Sequence, residues 1–422
     1  MSCTRRRRRR PDRRVIVVGG SIAGLIAGNL LHRRGWDVDV YERAVGVLEG
    51  RGAGITILPG LIDGLLAAGV EESEESLGIE LAGRIALDRT GRTVAEVDFV
   101  QWMTSWRRLF EALRAVFPDE RYHPGMALER VEPEADRATA WFAGGESAGA
   151  DVVVGADGLR STVRSQLLPD LEPHYGGYIA WRCLTDELDL SESTRATLSE
   201  RYSMCIAPGE QAVAYPVPGP DQSREPGRRQ LNVVWYHPVS ELDDLPRMLT
   251  DDAGRHHPGG IPPSLISSVV RDVMQDVAEK VLAPQFAETI RLAKLVFFQP
   301  MIDIEPPRLA FGRVALIGDA GFVTRPHVGM GVPKAAGDAL ALVAALERGR
   351  GDVTSALEAF ESERLRVDAA IVSRGRRLGA YMEAQLGPEE ERRHAEQVRD
   401  AAAVLKETAF PTDYERLADA TA

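Results

Sequence analysis

The sequence predicts an α/β fold: a discontinuous Rossmann-like dinucleotide domain, a β-rich second domain and C-terminal helices. Three stretches predict it. Arg14-Val15-Ile16-Val17-Val18-Gly19-Gly20-Ser21-Ile22-Ala23-Gly24 reads as a buried strand, a tight glycine turn and the start of a helix. Asp151-Val152-Val153-Val154-Gly155-Ala156-Asp157-Gly158 is a second apolar strand ending in a turn. Arg313-Val314-Ala315-Leu316-Ile317-Gly318-Asp319-Ala320 is a third, and a glycine loop through Gly331 leads from it into a helical pattern. Strands this uniformly apolar belong in a parallel sheet covered on both faces.

The elements follow in order. Residues 15–18 form the first strand, 22–33 have helical apolar spacing that stops before Gly35, and 38–41 form a second strand ending at Glu42. That order can place a pyrophosphate on the N–H groups of the helix start and a ribose on the acid. Gly19 permits the turn, Gly20 lets the chain approach the phosphate, and Gly24 lets the helix lie close to the sheet. Ser21 stands where the usual fingerprint has its middle glycine. Residues 51–55 read as a flexible turn and 61–68 as a short helix; 85–100 read as a hairpin turning at 88–91, and 107–117 as a helix stopped by Pro118. After Asp157-Gly158 a helix covers 161–167. Segments 176–184, 196–208, 211–217 and 230–237 favour strands. Their Tyr178, Trp181, Tyr215, Trp235 and Tyr236 suit a domain that closes over a planar group. Residues 239–262 read as a surface excursion, and 266–281 and 284–291 as helices. Residues 332–346, 354–377 and 388–408 complete the helical part, the last two with polar faces that fit packing against the dinucleotide domain.

These readings divide the chain into a disordered basic tail (1–13), a first dinucleotide-domain part (14–75) and a hairpin of the second domain (76–103). A returning dinucleotide part (104–175), the second domain proper (176–284), a third dinucleotide part (285–349) and a helical segment (350–422) follow. A chain of 422 residues suffices for two or three cores, and 44% hydrophobic with 27% charged residues is a globular composition. The net charge of -12 gives no sign of a nucleic-acid surface. The arginine run 5–10 reads as a solvated tail without the apolar segment of a secretory signal. No uninterrupted apolar run is long enough for a membrane span. Cys3, Cys183 and Cys205 show no paired spacing, which indicates neither a disulfide framework nor a cysteine zinc site and suits a reducing cytoplasm.

Together the three stretches resemble the class A FAD-dependent aromatic hydroxylases, the para-hydroxybenzoate hydroxylase group. Within it, Gly19 to Gly24, the run Gly176-Gly177-Tyr178-Ile179-Ala180-Trp181-Arg182, and Gly318-Asp319 through Arg325-Pro326-His327 look similar to 2,6-dihydroxypyridine 3-hydroxylase-like enzymes. The resemblance implies that 14–75, 104–175 and 285–349 bind FAD and that 76–103 and 176–284 form the substrate domain. It further implies that Gly19, Gly20, Ser21 and Gly24 meet the FAD pyrophosphate, with Glu42 at the adenosine ribose and Arg43 beside it. Asp157-Gly158 match the central motif associated with FAD and the reduced nicotinamide. Asp319 of Gly318-Asp319 matches the aspartate at the ribityl or pyrophosphate region, and Pro326, Gly329 and Gly331 match the loop beside the isoalloxazine. One departure is plain: where many relatives carry an arginine flavin contact, this chain has Trp106, with Arg107 and Arg108 one and two places later.

The implied reaction is hydroxylation of an electron-rich aromatic or heteroaromatic ring by molecular oxygen through a flavin C4a-hydroperoxide. FAD is reduced by NADH or NADPH, which binds transiently, since no second complete Rossmann unit is visible. His327, beside Pro326, is the leading candidate to orient or deprotonate a ring hydroxyl, because imidazole exchanges protons near neutral pH. Arg182 and Tyr215 are candidates for orienting substrate, while Trp181 should face away from Arg182 and pack. A flavin dehydrogenase or oxidase, a hydroxylase of polycyclic natural products and a non-oxygenating flavin sensor are the alternatives. A dimer is compatible with the chain. His256-His257 lack metal-site spacing; Ser21, Ser105 and Ser161 lack a hydrolase constellation. Asp157 and Asp319 suit dinucleotide contacts better than paired glycosidase acids.

Overall fold

The computed structural model describes residues 13–46, 54–397, 399–409 and 414. The arginine run 5–10, Cys3 and residues 51–53 of the expected turn lie outside them. A six-stranded sheet runs in the order Ala310–Phe311, Val314–Leu316, Val152–Gly155, Arg14–Val18, Asp37–Glu42 and Tyr122–Pro124, parallel except at its first pair. The three diagnostic strands are therefore neighbours, with Val15 opposite Val152 and Val154 opposite Ala315. Val15, Ile16, Val17, Val152, Val153 and Val154 are fully buried, which is why each strand reads as an unbroken apolar run. Helix α1 (Ile22–Arg33) leaves the first strand and buries Leu25, Ile26, Leu30 and Leu31 against the sheet. Helix α2 (Thr162–Leu167) follows the second diagnostic strand. Helices α3 (Gly331–Arg348), α4 (Val353–Ala384) and α5 (Ala401–Ala409) form the C-terminal part.

An eight-stranded sheet forms the second layer. Its order is Leu295–Asp303, His174–Asp186, Gln230–Pro238, Glu210–Val217, Tyr202–Ala207, Ile79–Leu87, Thr93–Ser105 and Gly54–Ile57. Alternation sorts its two faces: Trp181 and Trp235 pack in one apolar cluster with Phe286, while Tyr178, Tyr215 and Tyr236 pack in another. The hairpin turn forms where expected, with Asp88 accepting the Thr90 N–H at 2.8 Å and Gly91 at φ +85°.

Several expectations change. Gly54–Ile57 and Leu295–Asp303 pair in the eight-stranded sheet, although the boundaries 14–75 and 285–349 group them with the dinucleotide part. Their partners, Ser105 for Gly54 and Phe298 for Trp181, are distant in sequence, so no local pattern announces the pairing. The expected strand 196–208 begins as a helix, Glu192–Leu198, capped by Ser191, and becomes strand only at Tyr202. The excursion contains a short helix, Asp244–Met248. The expected helix 354–377 runs from Val353 to Ala384, and 388–408 divides into Glu389–Gln397 and Ala401–Ala409. No helix among the described residues is long and apolar enough to cross a membrane.

Candidate active site

The dinucleotide end is built at the tips of the parallel strands. Gly19 has φ +106°, and a Cβ there would sit 2.3 Å from the Ala156 carbonyl oxygen. A Cβ on Gly24 would lie 1.8 Å from the Gly19 carbonyl oxygen, so this glycine lets α1 close on the turn itself. Gly20 differs from expectation: Tyr122 fills the space its Cβ would need, at 2.4 Å, and the Tyr122 hydroxyl donates to the Gly20 carbonyl at 3.1 Å. Ser21 occupies the N-cap of α1 without a side-chain capping bond, which leaves first-turn N–H groups for an anion. Glu42 is 4% exposed and accepts the Gly20 and Ala44 N–H groups, each at 2.9 Å. Each carboxylate oxygen retains a further acceptor site.

Gly19, Ser21, Glu42, Arg43, Asp157 and Gly158 line one cleft of about 850 Å³. Asp157 does more there than face a ligand. Its carboxylate accepts from the Ser161 hydroxyl at 2.5 Å and the Thr162 N–H at 2.7 Å, holding the start of α2. Burial raises its carboxyl, and the Ser161 hydrogen bond works against that rise. Gly158 turns the chain at φ +78°.

A second cavity, about 310 Å³, lies between the eight-stranded sheet and the loop before α3. Arg182, Tyr202, Tyr215 and Tyr236 line it from the sheet; Asp319, Pro326, His327, Gly329 and Gly331 line it from the other side. Leu159 and Gln299 border both cavities, which are therefore neighbours. Gly329 adopts φ +66° to turn this loop. Asp319 is exposed to this cavity, with Lys334 and Arg164 as the cations whose charge reaches its carboxylate. Arg164 also donates to the Asp319 and Ala320 carbonyls at 2.9 and 3.1 Å, tying α2 to the loop.

Three candidate catalytic residues meet in this cavity, in distinct states. Tyr215 donates its hydroxyl to the Gly54 carbonyl at 3.0 Å, so it fixes the edge strand. The Arg182 side chain makes no hydrogen bond or ion pair with any described residue, and its Nε is buried without a partner. His327 Nε2 lies 2.8 Å from the Tyr178 hydroxyl, and its ring centroid is 4.1 Å from that of Tyr236. Burial, reinforced by Arg325, pushes the imidazole down to about 3. Burial thus favours the neutral ring, with the Tyr178 hydroxyl as its hydrogen-bond partner.

Sequence reasoning missed the support behind His327. Arg325 is 1% exposed, pairs with Asp303 at 3.0 Å and Glu383 at 2.9 Å, and lies over the Tyr178 ring at 5.6 Å. Gly379 makes room for it: a Cβ there would come within 2.3 Å of the Tyr178 hydroxyl and 2.9 Å of Arg325. Gly379 lies two residues past the expected end of the helix 354–377, in the turns by which the helix runs on to Ala384, so the sequence pattern assigned it no role.

Other candidates sort cleanly. Trp106 stacks on Phe110 at 5.0 Å; Arg107 pairs with Glu111 and Arg108 with Glu72, and none of the three lines either cavity. Ser105 and Ser161 cap helices. His257 pairs with Asp251 at 2.8 Å, and no described group of three or more His, Cys, Asp or Glu is placed to hold a metal.

A parallel strand–glycine turn–helix with an acid at the next strand end, opening into an aromatic cavity, defines a flavoprotein of the dinucleotide-binding class. Residues 12–192 match the model of the FAD binding domain family, and residues 175–303 match that of the FAD binding domain-like family. The chain is 31% identical over 372 residues to 2,6-dihydroxypyridine 3-monooxygenase of Paenarthrobacter nicotinovorans, covering 87% of this chain and 91% of the relative. It is 30% identical over 398 residues to 3-amino-4-hydroxybenzoate 2-monooxygenase of Streptomyces cremeus, covering 89% of each. The solved 2,6-dihydroxypyridine-3-hydroxylase from Arthrobacter nicotinovorans superposes with a TM-score of 0.83 at 30% identity, over 88% of this chain and 93% of that one. The chain belongs to the class A FAD-dependent aromatic hydroxylases. It is an FAD-dependent monooxygenase that uses NAD(P)H and molecular oxygen to hydroxylate aromatic or heteroaromatic rings.

The residues present fit FAD, because the space a Gly19 Cβ would fill is closed by backbone while the α1 N-terminus and the cleft beside it stay open. When bound, FAD supplies the electron transfer and oxygen activation that no side chain provides.

Proposed function

We propose that the 850 Å³ cleft takes the dinucleotide part of FAD and the 310 Å³ cavity takes its ring system together with a compact hydroxylated heteroaromatic or phenol. Gly19, Gly20, Ser21 and Gly24 hold the pyrophosphate turn, Glu42 and Arg43 the ribose side, and Asp319 the middle of the cofactor. Pro326, Gly329 and Gly331 border its ring. Asp157 and Gly158 keep the cleft in shape through α2. The substrate domain comprises the eight-stranded sheet and its packed helices. The smaller cavity must admit two ring systems, which favours a monocyclic substrate over a polycyclic one. The 2,6-dihydroxypyridine named for the 31% relative is of that size.

The observation that carries the substrate class is the unpartnered Arg182. A half-buried guanidinium among Tyr202, Tyr215 and Tyr236 has no counter-charge among the described residues. A ring oxygen carried as an oxyanion supplies it, and loss of that proton raises the electron density the reaction needs. His327, neutral and bonded to Tyr178, then accepts or holds a hydrogen bond at the ring hydroxyl while the aromatic walls exclude water. A cytoplasmic setting is part of this reading, with Cys183 and Cys205 free and buried.

The test is a panel of hydroxypyridines and phenols, scored by NADH and NADPH oxidation and by product mass. Arg182→Gln should raise KM by about tenfold to a hundredfold, the scale of a charge-assisted hydrogen bond, with FAD content unchanged. Turnover confined to neutral polycyclic compounds would reject the substrate class.

A further inference from the structure

Four charges lie directly behind Gly318: Lys334 and Asp338 on α3, and Arg364 and Asp368 on α4, none more than 4% exposed. Lys334 Nζ donates to the Gly318 carbonyl at 2.9 Å and to Asp338 Oδ2 at 3.0 Å. Asp338 Oδ2 also accepts the Gly318 N–H at 2.8 Å. Arg364 closes the chain, donating to Asp338 Oδ1 at 2.8 Å and to Asp368 Oδ1 at 2.5 Å. Gly318 stands at φ +58°, with Ala23 of α1 2.8 Å from where its Cβ would be. Its N–H and its carbonyl are both gripped by side chains one helical turn apart.

Stability alone is a poor reason for this arrangement. Burying ion pairs gains little over packing apolar side chains of the same volume. Lys334 also occupies the first turn of α3, where the helix dipole opposes a cation. What the network delivers is orientation: its grip falls on the residue before Asp319, in a left-handed conformation that must be held for the next side chain to point into the cavity.

We propose that Lys334, Asp338, Arg364 and Asp368 are positioning residues for the cofactor, clamping Gly318 so that Asp319 meets FAD and setting FAD affinity from the α3–α4 interface. The proposal rests on the assignment of Asp319 as an FAD contact made above.

The experiment measures FAD dissociation constants for refolded or stripped apoprotein by flavin fluorescence. Lys334→Met combined with Asp368→Asn removes one charge of each sign and leaves Asp338 its bonds to Gly318 and Arg364. This pair should weaken FAD about tenfold in the wild-type background. With Asp319→Ala already present it should add less than about twofold, because the contact being positioned is gone. Lys334→Gln with Asp368→Asn keeps an N–H donor for the Gly318 carbonyl and should recover affinity to within about threefold of wild type. Where the Met pair does not fold, the Gln pair is read in the same two backgrounds, with its smaller loss abolished by Asp319→Ala. Equal fold-losses with and without Asp319, or no loss at all while Asp319→Ala weakens FAD, would overturn the positioning role. Unchanged affinity in Asp319→Ala itself would instead overturn the flavin-contact assignment, and the proposal with it.

Discussion

At position 327 the surroundings decide the chemistry more than the residue type does. An exposed imidazole would titrate near neutrality, whereas His327 is pushed down to about 3 between Tyr178 and Tyr236. On the proposed function it acts as a neutral hydrogen-bond partner. His327→Ala should keep FAD and substrate binding, lose about tenfold in hydroxylation rate, and release more hydrogen peroxide per NAD(P)H oxidised. His327→Asn should recover part of that coupling. Product yield measured from pH 6 to 9 should show no limb that disappears in His327→Asn; a limb near 6.5 lost in the variant would restore the proton-exchange role. The sequence made His327 visible through its place after Pro326 in a glycine loop. It could not show Tyr178, 149 residues away, and the hydrogen bond between them is what fixes the ring. Gly20 was visible for a similar reason, but the side chain that requires it, Tyr122, comes from another strand.

Elements were legible where a local pattern suffices. The parallel strands and α1 could be read because burial on both faces writes itself as apolar runs and the turn needs glycine at Gly19 and Gly24. Gly24→Ala places a methyl 1.8 Å from the Gly19 carbonyl oxygen, so the turn must open; FAD affinity should fall at least tenfold and stability by about 1–3 kcal/mol, read by flavin titration and thermal unfolding. Pairings over long sequence distances were not legible, which is why Gly54–Ile57 and Leu295–Asp303 changed sheets. The polar face expected for 354–377 does meet the dinucleotide domain, where Arg364 and Asp368 are buried as ion pairs, a distinction hydropathy does not make. The expectation fails for 388–408, whose Ala401–Ala409 packs Leu405 on the strands Ile79–Leu87 and Thr93–Ser105 of the eight-stranded sheet instead. A comparable pair joins strand ends in the second sheet: Arg229 donates to Glu187 at 3.0 and 2.6 Å, both residues 4% exposed. Burial alone would raise Glu187, but hydrogen bonds from Arg229 and the Gly227 N–H hold its carboxyl below the usual range. A depressed carboxyl stabilises the fold above its unfolded value and loses that contribution as pH falls through the folded one. Glu187→Gln should therefore cost about 1–3 kcal/mol at pH 7, since Arg229 loses its buried carboxylate and keeps Glu200 at 2.7 Å, with the gap to wild type shrinking below about pH 4.5 in unfolding curves.

At the scale of the molecule, two sheets contribute two neighbouring cavities. Parallel strand ends supply a dinucleotide cleft, the eight-stranded sheet supplies an aromatic wall with Arg182, and Leu159 and Gln299 border both chambers. That adjacency suits a monooxygenase of this family: an organic ring must reach the reactive end of the cofactor while bulk water stays out. An oxidase or dehydrogenase on the same scaffold would also bind FAD and consume NAD(P)H, so neither flavin content nor nicotinamide oxidation separates the possibilities. Isotopic oxygen does. Purified holoprotein turning over a hydroxypyridine or phenol with NADH or NADPH under ¹⁸O₂ should yield a hydroxylated product carrying one labelled atom, with coupling reduced in His327→Ala. A product oxidised without label, with all labelled oxygen recovered as peroxide or water, would contradict the assignment of the aromatic cavity as a hydroxylation site.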